Sequence, residues 1–465
     1  MNDLVQPVHF VGIGGAGMSA IARILLARGY AVSGSDAKDS VALAALKVLG
    51  ADTHVGHSAE QVHGAGSVVV STAIGDTNAE VVEAKRLGLP ILRRAEALAQ
   101  TMLGHTVVAV AGTHGKTTTT SMLTVAVQAC GEDPSFAIGG SLNESGVNAH
   151  NGSGDLFIAE ADESDGTFLV FSPDLAIVTN VEPDHLDHYG SPDAVEDAFA
   201  EMLDRIRPGG TLVVSADDAG AVRIADRAAG RDFSTVSFGE SDSADLRIES
   251  LNLLPLGSEW TPVFRGRRLP ALRLRVPGRH NAMNAAAALA AGLALELPEA
   301  ELREGLSAFT GTRRRFEPKG NAGGVRVFDD YAHHPTEVAA TLAAARRAAG
   351  DGRVVAVFQP HRFSRTAAFR TGFAESLAAA DEVVVMEVYA AGEESIPGAS
   401  GAAIAAEVPL AAERVVFEPS WSAVPAVVAA RCRPGDLVLT MGAGDVTMIG
   451  PEILRLLADA TAGAS

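Results

Sequence analysis

Lys116 and Thr117 close a short glycine loop that reads Gly112-Thr113-His114-Gly115-Lys116-Thr117-Thr118. The loop follows an apolar run, residues 106–111, and opens a helix-like stretch, residues 119–129. In that setting backbone N–H groups point at phosphate oxygens, and the helix N-terminus adds its field. The Lys116 ammonium would reach the outer phosphates and the Thr117 hydroxyl would hold Mg2+. Only Thr113 and His114 separate the two glycines, so the loop is a shortened form of the usual four-residue spacing. The chain has five lysines against 32 arginines and spends one here. A compact ammonium suits such a site better than a guanidinium fork. The bland alternative is an ordinary glycine-rich turn.

A second glycine loop lies at the N-terminus. Gly12, Gly14 and Gly17 follow the apolar strand 8–11, and Asp36 stands about 20 residues on, as in dinucleotide sites. The physics asks only for a diphosphate on a helix N-terminus and an acidic partner for the nucleoside. A nucleoside-diphosphate sugar meets those terms as well as NAD does. Ser71 and Thr72, at the end of another apolar run, would add hydroxyl donors. A tight helix–sheet contact is the structural alternative.

Two acidic clusters follow apolar runs in the middle of the chain. Glu160 opens Glu160-Ala161-Asp162-Glu163-Ser164-Asp165, and a carboxylate there can hold Mg2+ beside the phosphate loop. Asn180-Val181-Glu182-Pro183-Asp184-His185 follows the next run, with His185 as a candidate ligand and Asp184 to orient its ring. Asn281 and Asn284 begin a helix-like stretch, where they could read an adenine edge or cap the helix. Further on, Arg313-Arg314-Arg315 looks like a site loop, and 329–337 (Asp329, Asp330, Tyr331, His333, Glu337), then His361, Arg362 and Arg365, and lastly Gly442 to Asp445 sit after apolar runs. Singly each is a cap or a turn; together they describe a binding rim. The arginines suit a carboxylate or an acyl phosphate.

The elements that must position these groups alternate strand with helix, which implies parallel α/β sheets. Residues 1–105 read as strands 8–11, 30–33, 67–70 and 90–93 with helices between. Residues 106–310 carry the phosphate loop, strands 155–160 and 175–180, an irregular β-rich part over 211–271, and a helix over 281–295. Residues 311–465 alternate again, with strands 325–328, 354–358, 382–387 and 437–440. Short apolar runs that end in polar residues are buried parallel strands whose carboxyl ends line a site. The fold expected is α/β in three domains: Rossmann-like, then a central parallel sheet of the phosphate-loop ATPase type, then Rossmann-like again.

Composition narrows the field. A chain of 465 residues exceeds one ordinary core. A net charge of -20 argues against a general nucleic-acid surface. No apolar run approaches membrane-spanning length. The two cysteines, Cys130 and Cys432, form no framework and no metal motif, and fit a reducing cytoplasm.

Together the motifs Gly12 to Ser19, Gly112 to Thr118, Glu160 to Asp165, Asn180 to His185, Gly278 to Asn281, Asp329 to Glu337 and Gln359 to Arg362 resemble the Mur ligase family, in order and over nearly the whole chain. The 329–337 loop and the N-terminal loop resemble its alanine-adding branch. The resemblance implies ATP and Mg2+ as cofactors, with UDP-N-acetylmuramate and L-alanine as substrates and a monomer or weak homodimer. It puts UDP-sugar on Gly14, Gly15, Ala16, Gly17, Met18, Ser19, Asp36, Ser71 and Thr72. ATP falls to Gly112, Thr113, His114, Gly115, Lys116, Thr117, Thr118, Asn281, Asn284 and Asp330, and metal to Thr117, Glu160 and His185. The acyl and amino-acid end falls to Tyr331, His333, His361, Arg362 and Arg365, with Arg314 nearby; Lys116, His185, Arg314, His333, Arg362 and Arg365 carry the chemistry. Several sister ligases use a carbamylated lysine just after the metal-binding histidine. No lysine occurs from Leu186 to Arg207, so that device is absent here. A sister ligase that attaches recycled tripeptide shares most of these motifs. An NAD-dependent oxidoreductase and a nucleotide-regulated binding module are the readings from other classes.

Overall fold

The computed structural model describes residues 4–71, 73–143, 145–164 and 166–462. Three sheets follow one another along the chain. The first has five parallel strands in the order β3-β2-β1-β4-β5: β1 (Val8–Val11), β2 (Val32–Asp36), β3 (Asp52–Val55), β4 (Ser67–Val70) and β5 (Ile91–Arg93). Of these, β3 is absent from the sequence reading. It is an edge strand, mostly exposed, and Asp-Thr-His-Val shows no apolar run. The glycine loop joins β1 to the helix Ala16–Ala27 at the carboxyl end of the central strand, where chain order reverses.

The second sheet is built from β6 (Thr106–Ala111), β7 (Ser135–Ala137), β8 (Ala149–His150), β9 (Leu156–Glu160), β10 (Leu175–Val178), β11 (Gly210–Ser215) and β12 (Phe233–Gly239). Its order is β12-β11-β10-β6-β9-β7-β8, parallel except for β8. β13 (Leu246–Leu254) continues it through Leu246 and Arg247. The helix Lys116–Ala129 opens with four threonines, which are poor helix formers. Tertiary burial holds it: Thr119, Thr120, Ser121 and Thr124 are fully buried. The hydroxyls of Thr120, Ser121 and Thr124 donate to carbonyls four residues back at 2.8 Å. Within the stretch read as β-rich, the structure places a helix, Ala219–Arg227, capped by Asp218. Another, Pro192–Leu203, has Ser191 as its cap and Pro at its first turn.

The chain divides into two compact units. One comprises Met1–Ile248, Val263–Arg267 and Asn284–Leu306; the other comprises Glu249–Pro262, Arg268–Met283 and Ser307–Ser465. The first unit holds both glycine loops. A single apolar cluster explains why: Ala20, Ile24, Ala95 and Met102, from the helices of the first sheet, lie with Phe157, Phe168, Phe171 and Phe199 of the second.

In the second unit, β14 (Gly257–Phe264) contributes Ser258 to Trp260, paired antiparallel with β16 (Leu272–Leu274); the short β15 (Arg267–Arg268) lies between them in sequence. The third sheet runs β17-β18-β22-β19-β20-β21, from β17 (Glu317–Ala322), β18 (Val325–Asp330), β19 (Val354–Phe358), β20 (Glu382–Val385), β21 (Val415–Phe417) and β22 (Leu437–Met441). Only β17 is antiparallel. Its Pro318 and Gly320 hide it in the sequence; it sits at an edge with a register shift between those residues. Val354, Ala356 and Phe358 of β19 enter one core and Val355 and Val357 another. Burial on both faces is why this strand reads as an unbroken apolar run.

Candidate functional site

The phosphate loop is built by close backbone approach. Gly112 has φ +129, and a Cβ there would lie 2.0 Å from the Thr179 hydroxyl. Gly115 has φ +83, and a Cβ there would lie 2.4 Å from Asn284 Oδ1. Neither position accepts a side chain. The end of β10 then ties the loop down. Thr113 N–H donates to the Asn180 carbonyl at 3.1 Å, and His114 N–H donates to Asn180 Oδ1 at 2.8 Å. Thr179 and Asn180 donate to the His114 carbonyl at 2.6 and 3.0 Å. Glu182 N–H donates to Thr113 Oγ1 at 2.9 Å, while the His114 ring lies 3.6 Å from the Glu182 carboxylate. Thr118 is buried in the first turn of the helix.

Inside the loop, Lys116 Nζ donates to the carbonyls of Gly112 (2.8 Å) and Thr113 (3.1 Å) and to Glu163 Oε1 (2.9 Å). Burial alone would lower its pKa; the carboxylates of Glu163, Asp162 and Glu160 outweigh that and raise it. Thr117 Oγ1 donates to Glu160 Oε1 at 3.1 Å, and Glu160 Oε2 accepts from Gly139 N–H at 2.8 Å. A hydroxyl and a carboxylate oxygen thus converge at the helix mouth, an all-oxygen pair that suits a hard divalent cation. His185 follows β10 with φ +52 and precedes the short helix Leu186–Tyr189. Asp184 Oδ1 accepts the His185 backbone N–H at 2.8 Å, and its other oxygen lies 3.5 Å from the His185 ring.

The N-terminal loop is held differently. Gly14 N–H donates to Asp36 Oδ2 at 2.9 Å, so this carboxylate braces the loop. Ser19 N–H donates to the Gly15 carbonyl, and the Ala16 carbonyl accepts from Asn148 Nδ2 at 2.8 Å. Met18, expected at the sugar nucleotide, is 1% exposed and its side chain belongs to the core, because it is on the inner face of the first helical turn. Only its backbone is left for a ligand. The Arg94 guanidinium lies over Gly17 and reaches Asp162 at 3.3 Å. Ser71 closes the strand end beside Gly12; Thr72 lies outside the described residues.

In the second unit polar loops follow the strand ends, and two of their residues bond to the scaffold. Arg314 (φ +60) donates to the carbonyls of Gly442 (2.6 Å) and Gly444 (3.0 Å), stacks over Tyr331 at 4.8 Å and lies 3.6 Å from Asp329. It clamps the loop Gly442 to Gly444 against Tyr331. Asp330, expected at ATP, accepts from the N–H groups of Phe316 (2.7 Å) and Ala332 (2.8 Å), and burial raises its pKa to about 6. Its two oxygens brace the turn. Asn281, expected at adenine, donates to the Pro277 carbonyl at 2.7 Å and so closes the helix start. Asn284 belongs to the first unit and lies against Gly115, at the phosphate end of the site.

His333 bonds the Tyr331 carbonyl at 3.0 Å and Glu337 at 3.2 Å, and faces His361 at 6.1 Å. His361 stacks on Tyr389 (5.6 Å, 8°); burial, then Arg365 and Arg362, lower its pKa to about 4, so it is neutral at pH 7. Arg362 (φ +68) starts the helix Phe363–Leu377 and approaches Glu393 at 4.0 Å; Arg365 is 7% exposed. Tyr389 was missed by the sequence reading, although the chain has only four tyrosines and this one follows a strand. Thr179, Asn180, Glu163 and Arg94 were also given no role.

Three largely parallel sheets, with a lysine–threonine phosphate loop at the mouth of the second, define an α/β nucleotide-using protein. Domain models match it in order: the Mur ligase family catalytic domain over residues 7–106, the Mur ligase middle domain over 110–292, and the glutamate ligase domain over 314–444. A UDP-N-acetylmuramate–L-alanine ligase of Saccharopolyspora erythraea is 58% identical, covering 98% of this chain and 94% of its own. One from Acidothermus cellulolyticus is 56% identical, covering 97% and 94%. The crystal structure of UDP-N-acetylmuramate-alanine ligase from Thermotoga maritima matches with a TM-score of 0.82 and 30% identity, over 98% of this chain and 99% of its own. A murein peptide ligase from Psychrobacter arcticus matches with a TM-score of 0.72 and 26% identity, over 97% and 98%. The chain belongs to the Mur ligase family.

Proposed function

We infer that this ligase joins L-alanine to the lactyl carboxylate of UDP-N-acetylmuramate at the expense of ATP, in peptidoglycan precursor synthesis. The observation that carries the chemistry is the loop in which Lys116, Thr117 and Glu160 meet at one helix mouth. The choice of substrates rests on relatives of that name more than half identical over nearly the whole chain. The carboxylate attacks the ATP γ-phosphate to give an acyl phosphate and ADP. The alanine amine then attacks the acyl carbon, and phosphate leaves. A free carboxylate is a poor acyl donor, and phosphorylation supplies the leaving group. Both reactants of the first step are anionic, so the loop N–H groups and Lys116 must offset their charge.

We assign residues 1–105 to the sugar nucleotide, 106–310 to ATP and 311–465 to the amino acid. Thr117 and Glu160 would hold Mg2+, with His185 as a further ligand; a bound Mg2+ neutralises phosphate charge. Tyr331, His333, neutral His361, Arg362 and Arg365 would receive the acyl and amino-acid groups. We place the enzyme in the cytoplasm, where ATP is found and reducing conditions suit the free thiols of Cys130 and Cys432. Phosphate release assayed with single and paired substrates tests this. Release is expected only when ATP, UDP-N-acetylmuramate and L-alanine are all present. Faster release with a tripeptide than with alanine would instead assign the chain to the recycling branch.

A further inference from the structure

The three N–H bonds of the Lys116 ammonium all find acceptors within the protein. Two go to the loop carbonyls of Gly112 and Thr113, and the third goes to the Glu163 carboxylate, whose oxygens lie 2.9 and 2.8 Å away. Glu163 is 2% exposed. It stands where β9 has ended, and its own backbone is fixed: its carbonyl accepts from the Tyr189 hydroxyl at 2.5 Å and from Gly166 N–H at 3.0 Å. The side chain is therefore delivered to the ammonium by a pinned segment. The carbonyls belong to the loop and move with it. Glu163 is a carboxyl group brought to the ammonium from beyond another strand.

We propose that Glu163 is the resident counter-ion of Lys116, a positioning residue that holds the loop formed and is displaced by the incoming nucleotide phosphate. The proposal rests on the reading of this loop as the ATP site. A phosphate that takes over the ammonium leaves Glu163 buried beside new negative charge, and a carboxylate in that position takes up a proton from solvent. The surroundings favour this. Asp162 and Glu160 add two further carboxylates around the one ammonium, Arg94 offsets only Asp162, and burial already holds the Glu163 carboxyl up at about 7. Nucleotide entry is thus coupled to protonation of Glu163. The cost is small at pH 6, where the group is already largely neutral, and grows above pH 7.

Calorimetric titration of Mg·ADP into the unmodified protein and into Glu163→Gln tests it. Glutamine keeps the shape and removes the charge. At pH 8 the variant is expected to bind about tenfold tighter, the factor by which an acid of pKa near 7 is ionised there. At pH 6 the gap shrinks to less than about twofold. Repeating the pH 8 titration of the unmodified protein in buffers of different ionisation enthalpy is expected to show uptake of close to one proton. That measurement decides the matter even if the variant does not fold. Equal affinities at pH 8, or no proton uptake by the unmodified protein, overturn the counter-ion role while leaving the ATP site standing. No Mg·ADP binding by the unmodified protein at either pH overturns both.

Discussion

The loops Gly12 to Gly17 and Gly112 to Thr118 share a backbone plan: a buried parallel strand, a glycine turn and a helix N-terminus. Their side chains differ. The first loop has no cation of its own and is braced by one carboxylate, Asp36, with Arg94 leaning in from a neighbouring helix. The second carries Lys116 and Thr117 within the turn and draws Glu160 and Glu163 from the adjacent strand end. A helix mouth suffices to hold a diphosphate that stays intact. A phosphoryl group that must be transferred needs charge placed where charge develops. On the proposed function, the first loop is a grip and the second a reaction centre.

The sharpest way to break that contrast is Lys116→Ala. Loss of the ammonium is expected to lower ligation by about 10³-fold or more, with UDP-N-acetylmuramate affinity, read by direct titration, unchanged. A large loss of sugar-nucleotide affinity would show that the two loops are not separate in function. His185→Ala is expected to act next, raising the Mg2+ concentration for half-maximal rate by about tenfold or more, while the ATP Michaelis constant moves little. If rate falls with the Mg2+ dependence unaltered, His185 is no metal ligand. The smallest effect belongs to the grip. Asp36→Ala removes the brace on Gly14 and is expected to cost about 1 kcal/mol of stability in the absence of ligand. Urea midpoints of the unliganded proteins measure this. An unchanged midpoint, with weaker UDP-sugar binding, would make Asp36 a ligand partner alone.

The sequence shows which loops matter because glycine, lysine and strand-end carboxylates are local signals. It shows less of what those loops are tied to. Glu163 lies inside a quoted motif, yet its bond to Lys116 spans 47 residues and no periodicity announces it. Arg314 reads as a site arginine; that it also clamps a loop is invisible in the sequence, because its carbonyl partners lie about 130 residues away. The buried strands were legible through their apolar runs. The edge strands β3 and β17 were not, since exposure removes the pattern that burial imposes. The helix Ala219–Arg227 was lost in a stretch judged by its β-rich flanks, although Asp218 offers a cap.

Ala20, Ile24, Ala95 and Met102 share one apolar cluster with Phe157, Phe168 and Phe199. Scissors applied at His105 would therefore not release two soluble pieces. Each fragment would carry to water a greasy face that the other now covers, and neither half can melt without unclothing its neighbour. The grip and the reaction centre stand or fall in one cooperative transition. If the sugar nucleotide binds at the first loop as proposed, it is expected to slow amide exchange in Val107 to Ala111 of the second sheet.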